Sequence, residues 1–309
     1  MSVVPDYRAR RRSSTPMSEG TFSDQLDWRS LSDTAREREY SPSSCVGGDL
    51  QPFLTEYSEG SATSRSWCRH QGFELQTLSY GALDSQSVDV VTPGGAPAPL
   101  VVFIHGGYWQ ELSKLDSFGP AQGLLSRGVA YAAVDYTLAP SATLEEIIAE
   151  CRQALAMIRE AADDLGIDAQ RIVVAGSSAG AHLTAMVSLD PTISWRPAAM
   201  VLLSGIYELE PLVGTPMNNA LDLDLETAHR SSPARLRITS PPSALVAWGA
   251  DETDQFKRQS RLFAQSLQSA GAKTIEHEVA GRNHFDILTD LGREASELGA
   301  AVHRLIEST

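Results

Sequence analysis

Residues 172–183 read IVVAGSSAGAHL, and this segment is the most informative part of the sequence. A short aliphatic run leads into Gly-Ser-Ser-Ala-Gly, and a segment of helical composition follows. Between a strand and a helix, the pattern G-x-S-x-G predicts a sharp turn with a strained backbone at its central serine. Such a turn holds the hydroxyl of Ser178 above the sheet, at the positive end of the following helix. Ser178 is therefore the candidate nucleophile.

The surrounding sequence alternates short aliphatic runs with longer stretches of helical period. The strand candidates are Glu74–Tyr80, Ser87–Val91, Leu100–Ile104, Ala130–Val134, Ile172–Ala175, Ala199–Leu203, Ala244–Trp248 and Thr274–Val279. Those from Leu100 to Trp248 are almost continuously apolar, which is typical of parallel strands covered on both faces. The alternation predicts a doubly wound, mostly parallel eight-stranded α/β sheet with helices on both faces. In such sheets the ligand lies at the carboxyl ends of the strands.

Three helices are indicated by their apolar periodicity. The first follows Thr143 and Glu146, which are spaced as a capping box. The second contains Phe256, and the last runs from about Phe285.

The chain divides by composition. Residues 1–20 are rich in arginine and serine and are expected to form a disordered basic tail. Residues 21–66 are expected to pack on the main body as one helix, within 22–40, and an irregular arm over the Ser- and Gly-rich stretch 41–66. Residues 67–309 form the predicted main α/β domain.

The sequence His105-Gly106-Gly107-Tyr108-Trp109 directly follows the strand Leu100–Ile104. At this position of the sheet, a glycine loop commonly supplies half of an oxyanion hole. The backbone N–H groups of Gly106 and Gly107, together with that of Ala179, are the predicted donors. They would stabilise negative charge on an oxygen attacked by Ser178.

A serine nucleophile needs a base, and the base needs an acid to orient it. The acid is expected after the next-to-last strand, Ala244–Trp248, because the chain order in this architecture is serine, acid, histidine. Asp251 is nearest the end of that strand and is the predicted acid. Asp254 is the reserve, and either could instead be an exposed helix cap.

The base is expected after the last strand. His277 falls within that strand and His303 well inside the final helix, so His284, in the loop between them, is the predicted base. His182 lies one helical turn after Ser178 and is expected to be structural.

The overall composition excludes several other classes of protein. With 25 basic and 39 acidic residues among 309, the net charge is −14, which disfavours binding to nucleic acids and to anionic membranes. No apolar run is long enough for a transmembrane helix, and the N-terminus is not expected to be a secretory signal because no apolar stretch follows its arginines. The three cysteines are not spaced as a disulfide framework or a metal site. We expect a cytoplasmic protein without metal or cofactor.

Several of these motifs resemble the arylformamidase (kynurenine formamidase) family of the α/β-hydrolase superfamily, over about residues 28–309. The similar segments are YSPS (40–43), HGGYWQ (105–110), AGSSAGAHL (175–183), SGIYELEPLV (204–213), NAL (219–221), LETAHRSSP (225–233), FKRQSRLF (256–263) and NHFDI (283–287). Two features differ from the family: Ser177 stands where relatives often carry histidine, and the basic N-terminal extension has no recognised counterpart.

The resemblance implies hydrolysis of N-formyl-L-kynurenine to L-kynurenine and formate in tryptophan degradation, with Ser178, Asp251 and His284 as the triad. It also suggests a homodimer. Residues 205–242 are expected to form a short cap. Candidates for gripping the aryl ring of a small aromatic formamide are Tyr108, Trp109, Tyr207 and Phe285, although ordinary core packing would explain each equally well.

Two alternative functions remain open at this point. A small-acyl carboxylesterase or amidase would use the same triad on another substrate. A non-catalytic binding protein could keep the scaffold, although loss of a triad residue would then be usual.

Overall fold

A computed structural model describes residues 27–193 and 195–309, so the expected tail at 1–20 lies outside the described residues. One eight-stranded sheet has the order β1-β2-β4-β3-β5-β6-β7-β8. The strands are β1 (Leu75–Ser79), β2 (Ser87–Val91), β3 (Ala98–Ile104), β4 (Ala130–Val134), β5 (Ile167–Ser177), β6 (Ala199–Leu203), β7 (Ser243–Gly249) and β8 (Thr274–Val279). The pairs β1–β2 and β2–β4 are antiparallel and the other pairs are parallel. The predicted mostly parallel sheet is therefore confirmed.

Helices cover both faces of this sheet. The helices of the described residues, including two outside the sheet layers, are α1 (Asp33–Glu39), α2 (Gln51–Gln71), α3 (Ala121–Leu125), α4 (Leu144–Glu160), α5 (Ala179–Ser188), α6 (Leu225–Arg230), α7 (Asp254–Ser269) and α8 (Glu297–Glu307). Alternate residues of β3 separate the two sides: Leu100 and Val102 join the apolar cluster that includes α4 and α5, whereas Val101 and Phe103 join the cluster that includes α3 and α8. This is the two-sided burial expected of a parallel strand.

The predicted helix boundaries hold for two helices and are wrong for the last. The Thr143–Glu146 capping box begins α4, and α7 contains Phe256 as expected. The last helix begins at Glu297 instead of near Phe285, because Ser296 caps it by accepting a hydrogen bond from the N–H of Gly299. The preceding residues, Asp286–Asp290, form only a 3-10 turn.

Helix α2 corrects the expectation of an irregular arm over 41–66. Its buried residues are Ser61, Ser64 and Cys68, so the helix shows no strong apolar stripe. The hydroxyl of Ser64 donates to the carbonyl of Gly119 at 2.7 Å, and that of Ser61 accepts from the N–H of Phe118 at 2.9 Å. Hydrogen bonds of these small hydroxyl side chains therefore hold the helix in place, and apolar periodicity could not predict such contacts.

A buried ion cluster ties α2 to the sheet. Asp89 on β2 contacts Arg65 of α2 at 2.8 Å and Lys114 at 3.1 Å. Burial would raise the pKa of Asp89, but the hydrogen bond from Thr77 and the charges of Arg65 and Lys114 outweigh it, and the pKa is lowered. The carboxylate thus stays charged and holds α2 against β2.

Residues 205–242, the expected cap, contain three 3-10 turns and α6. None of the helices in the described residues is both long and apolar enough to cross a membrane.

Candidate active site

Ser178 occupies a strained turn between β5 and α5. Its backbone has φ 56° and ψ −119°, outside the conformations usual for a residue with a side chain. A Cβ on Gly176 would lie 2.2 Å from the carbonyl oxygen of Gly180, and a Cβ on Gly180 would lie 2.0 Å from that of Ile104. Both glycines are therefore required by close backbone approach, which explains the motif around the serine.

His284 lies directly opposite this serine. Its Nε2 is 2.9 Å from Ser178 Oγ, within hydrogen-bond distance. The imidazole is buried and meets the ring of Phe256 edge-on, with centroids 4.6 Å apart. This geometry places an acceptor nitrogen where it can take the hydroxyl proton.

The acid beside the histidine is Glu252, not the predicted Asp251. Oε2 of Glu252 is 2.9 Å from His284 Nδ1. The other oxygen, Oε1, accepts hydrogen bonds from Ser204 Oγ at 2.6 Å and from the N–H of Gly249 at 2.5 Å. The carboxylate is buried with partners on both oxygens, which fixes its orientation toward the ring.

Asp251 does not contact His284 because of the turn that follows β7. Its side chain is exposed, and its backbone N–H donates to the carbonyl of Arg282 at 2.9 Å. The reserve, Asp254, begins α7, and its exposed side chain pairs with Lys257 at 3.4 Å. Proximity to the strand end was the wrong criterion, since the turn directs the next side chain, that of Glu252, inward.

The glycine loop after β3 lies against the nucleophile. A Cβ on Gly106 would lie 2.9 Å from the carbonyl oxygen of Ser177 and 3.3 Å from Ser178 Cβ. Gly107, Tyr108 and Trp109 all have positive φ, of 88°, 51° and 60°.

This left-handed turn is closed by a hydrogen bond from the N–H of Gln110 to the carbonyl of Gly107 at 2.9 Å. Within the described residues, the N–H groups of Gly106, Gly107 and Tyr108 donate no backbone hydrogen bond. The hydroxyl of Tyr136 also stabilises the loop, because it donates to the carbonyls of His105 at 3.1 Å and Gly106 at 3.2 Å. Free N–H groups beside Ser178 suit the predicted oxyanion hole.

The serine and histidine open into a cavity of about 260 Å³ with mainly apolar walls. Its lining residues are Ser41, Pro42, Ser43, Leu50, Leu54, Tyr57, Gly106, Gly107, Tyr108, Gln110, Glu111, Leu112, Ser177, Ser178, Met217, His284, Phe285 and Leu288. A compact, mostly apolar pocket of this kind suits a small aromatic molecule.

Two of the four predicted aromatic contacts line this cavity, namely Tyr108 and Phe285. The other two do not and belong to the core. Trp109 is fully buried and meets His182 edge-on at 4.9 Å, and Tyr207 stacks on Phe263 at 4.1 Å.

The N-terminal segment forms one wall of the cavity, a role that sequence reasoning missed. The hydroxyl of Tyr57 on α2 donates to the carbonyl of Phe285 at 2.6 Å, and Phe53 stacks on the Phe285 ring at 5.1 Å. The hydroxyl of Tyr108 donates to the carbonyl of Tyr40. Of residues 205–242, only Met217 reaches the cavity, so the expected cap contributes little of the lining.

His182 is structural, as expected from its position on α5. It is fully buried, and its Nε2 donates to the carbonyl of Ser231 at 2.6 Å. Burial lowers its pKa from 6.5 to about 4, although the hydrogen bond to Ser231 opposes the shift. The ring is therefore neutral at pH 7.

This lowered pKa makes stability depend on pH. Between about pH 6.5 and 4 the unfolded chain binds a proton at His182 that the folded chain does not, so the free energy of unfolding decreases as the pH is lowered through this range. We expect His182→Gln, which keeps an N–H donor for Ser231, to remove about 3 kcal/mol of this dependence. Urea unfolding of both proteins at pH 7.5 and pH 4 measures it. If the difference in the free energy of unfolding between wild type and variant were the same at both pH values, the lowered pKa would be contradicted.

No group of three or more His, Cys, Asp or Glu side chains in the described residues is arranged to hold a metal ion.

Comparison with known proteins agrees with this geometry. The BD-FAE family model matches residues 88–194. Kynurenine formamidase from Danio rerio is 31% identical over 86% of this chain and 93% of its own length. The enzyme of the same name from Drosophila melanogaster is 32% identical over 76% of this chain and 82% of its own length.

Solved structures show the same fold. A candidate thioesterase from Silicibacter sp. TM1040 is 29% identical, with a TM-score of 0.73 over 86% of this chain and 97% of its own. An esterase from the archaeon Pyrobaculum calidifontis has a TM-score of 0.66 at 19% identity, over 84% and 94% of the two chains. With the identity shared over most of both sequences, this chain belongs to the kynurenine formamidase family of α/β-hydrolases.

Proposed function

We propose that this enzyme hydrolyses N-formyl-L-kynurenine to L-kynurenine and formate, a step of tryptophan degradation. The observation that carries the proposal is the contact of Ser178 Oγ with His284 Nε2 at 2.9 Å, in a chain of this family. Glu252 at 2.9 Å from Nδ1 completes a serine hydrolase triad. A binding protein without catalysis would have no need of this buried arrangement.

The reaction would proceed in two halves. His284 takes the proton of Ser178 as Oγ attacks the formyl carbon, and the carbonyl oxygen becomes an oxyanion held by the N–H groups of Gly106, Gly107 and Ala179. The carbon–nitrogen bond then breaks, and His284 donates the proton to the departing arylamine. Water, deprotonated by the same imidazole, attacks the formyl ester on Ser178. The bond from Oγ to the formyl carbon breaks, formate leaves, and His284 returns the proton to Oγ. Glu252 keeps Nδ1 protonated throughout.

The substrate suits this apparatus for two reasons. A formyl carbon carries no bulky group, so the glycine loop packed against Ser178 can approach it closely. The nitrogen lone pair is shared with an aryl ring that bears an ortho ketone, which weakens the amide resonance. Tyr108 and Phe285 on the cavity wall offer ring faces and edges for that aryl group.

Kinetics on the purified protein test the proposal against its rival, a small-acyl carboxylesterase. We expect kcat/KM for N-formylkynurenine to reach at least about 10⁴ M⁻¹s⁻¹, in the usual range of enzymes on their own substrates. The reference substrate is p-nitrophenyl acetate. Preference for the ester by orders of magnitude, with the formamide ignored, would support the carboxylesterase instead.

We also propose a cytoplasmic location. Cys45, Cys68 and Cys151 are all free thiols, and the last two are buried. Proteins kept in reducing compartments retain such unpaired cysteines.

A further inference from the structure

The wall of the catalytic cavity carries an unbalanced set of charges. Among the described residues that line it, Glu111 is the only acidic one and none is lysine or arginine. The remaining polar lining outside the triad consists of hydroxyl and amide groups. A ligand with a negative end therefore finds no cation on this wall, whereas one with a positive end finds a carboxylate.

Glu111 is fixed to the glycine loop through its backbone. Its N–H donates to the carbonyl of Gly107 at 3.0 Å, and a Cβ on Gly107 would lie 2.2 Å from the carbonyl oxygen of Glu111. Because Glu111 is exposed yet lines the cavity, it lies at the mouth. The backbone of Glu111 is thus held beside the glycine loop, and its exposed side chain extends from that fixed point.

The neighbouring polar groups also favour a donor on the ligand. The side-chain N–H₂ of Gln110 donates to the carbonyls of Tyr108 at 3.2 Å and Met217 at 3.1 Å, so its oxygen is left as an acceptor. Ser41 and Ser43 hydroxyls lie 3.0 Å apart and can accept as well as donate. An ammonium group has three donors and no acceptor, so it matches this set.

We propose that Glu111 receives a protonated amine of the substrate, and that the site prefers aryl formamides whose side chain ends in an ammonium group over those that end in a carboxylate. This inference rests on the proposed function and names its substrate class more closely. For an amino-acid substrate, the α-ammonium group is recognised and the α-carboxylate is left to solvent. The net charge of −14 adds a general repulsion of anions.

The test uses three 2-formamidophenyl alkyl ketones that differ only at the end of the alkyl chain, which is an ammonium, a methyl or a carboxylate group. The formamide is identical in all three, so kcat/KM reports the end group. We expect kcat/KM of the ammonium compound to exceed that of the carboxylate compound by about 10-fold at low salt. The exposed ion pair between Glu111 and the ammonium group contributes up to a factor of about 5, and repulsion between Glu111 and the carboxylate lowers kcat/KM of the other compound. The ratio should shrink at about 0.5 M NaCl, where charges are screened.

The variant Glu111→Gln should reduce the ratio to about 2-fold, chiefly by lowering kcat/KM for the ammonium compound. Glu160→Gln, at the exposed end of α4, is the matched control and should keep the wild-type ratio. An unchanged ratio in Glu111→Gln, or equal rates for both charged compounds in the wild type, would overturn this inference while the methyl compound is still hydrolysed. Failure to hydrolyse any of the three would instead overturn the proposed function, and this inference with it.

Discussion

Replacing Glu252 by glutamine is expected to lower kcat by about 10⁴-fold. Ser204 Oγ and the N–H of Gly249 both donate to Oε1, so an amide at this position must keep its oxygen there. Its N–H₂ then takes the place of Oε2 and faces Nδ1 of His284. The imidazole then adopts its other tautomer, with the proton on Nε2 instead of Nδ1. Nε2 faces Ser178 and no longer has the lone pair that accepts the hydroxyl proton.

The neighbouring variant Asp251→Asn is the control, because Asp251 is exposed and lies outside the triad. It should keep kcat within about 2-fold of the wild type, as is usual for surface substitutions that change little else. Circular dichroism and thermal midpoints would show whether both variants fold. A large loss in Asp251→Asn with little loss in Glu252→Gln would restore the assignment made from proximity to the strand end.

Replacing Ser178 by alanine is expected to cost more, on the order of 10⁶-fold in kcat. Without Oγ the imidazole of His284 has no nucleophile to activate, and only the oxyanion donors and the binding cavity remain to assist water. Substrate affinity should persist, because the cavity wall keeps its other residues. Single-turnover assays and calorimetric titration with N-formylkynurenine measure the two quantities separately.

Ser188→Ala provides the matched control, since Ser188 ends the same helix α5 and its buried hydroxyl has no hydrogen-bond partner among the described residues. We expect wild-type kcat for this variant. Retention of more than about 1% of kcat in Ser178→Ala would rule out this residue as the nucleophile, because the oxyanion hole and binding alone give far less.

The sequence sufficed for the features that local rules control. Eight strands were predicted, and the sheet formed by the described residues has eight. For β3 to β7 the reason is that near-continuous aliphatic runs have few alternatives in a chain of this pattern. The capping box at Thr143 and the turn around Ser178 were equally readable, since both depend on residues within a few positions of each other. His284 followed from chain order, with its position in a loop after β8.

Helix α2 was missed because its fully buried residues are Ser61, Ser64 and Cys68, which interrupt the hydrophobic period between its aromatic contacts. The same helix places Tyr57 against the loop that contains His284. The contribution of the N-terminal segment to the cavity wall could therefore not be predicted either. Contacts of this kind join residues more than 200 positions apart, for example Tyr57 and Phe285.

Periodicity and short motifs were enough to predict the α/β sheet, the serine turn and the histidine. Packing was needed to show that Glu252 and not Asp251 contacts the imidazole. It was also needed to show that Tyr108 and Phe285 line the cavity while Trp109 and Tyr207 do not. Side-chain direction at a turn depends on backbone dihedral angles set by distant partners. Two adjacent acids, or two adjacent aromatics, are therefore equivalent in sequence until the chain has packed.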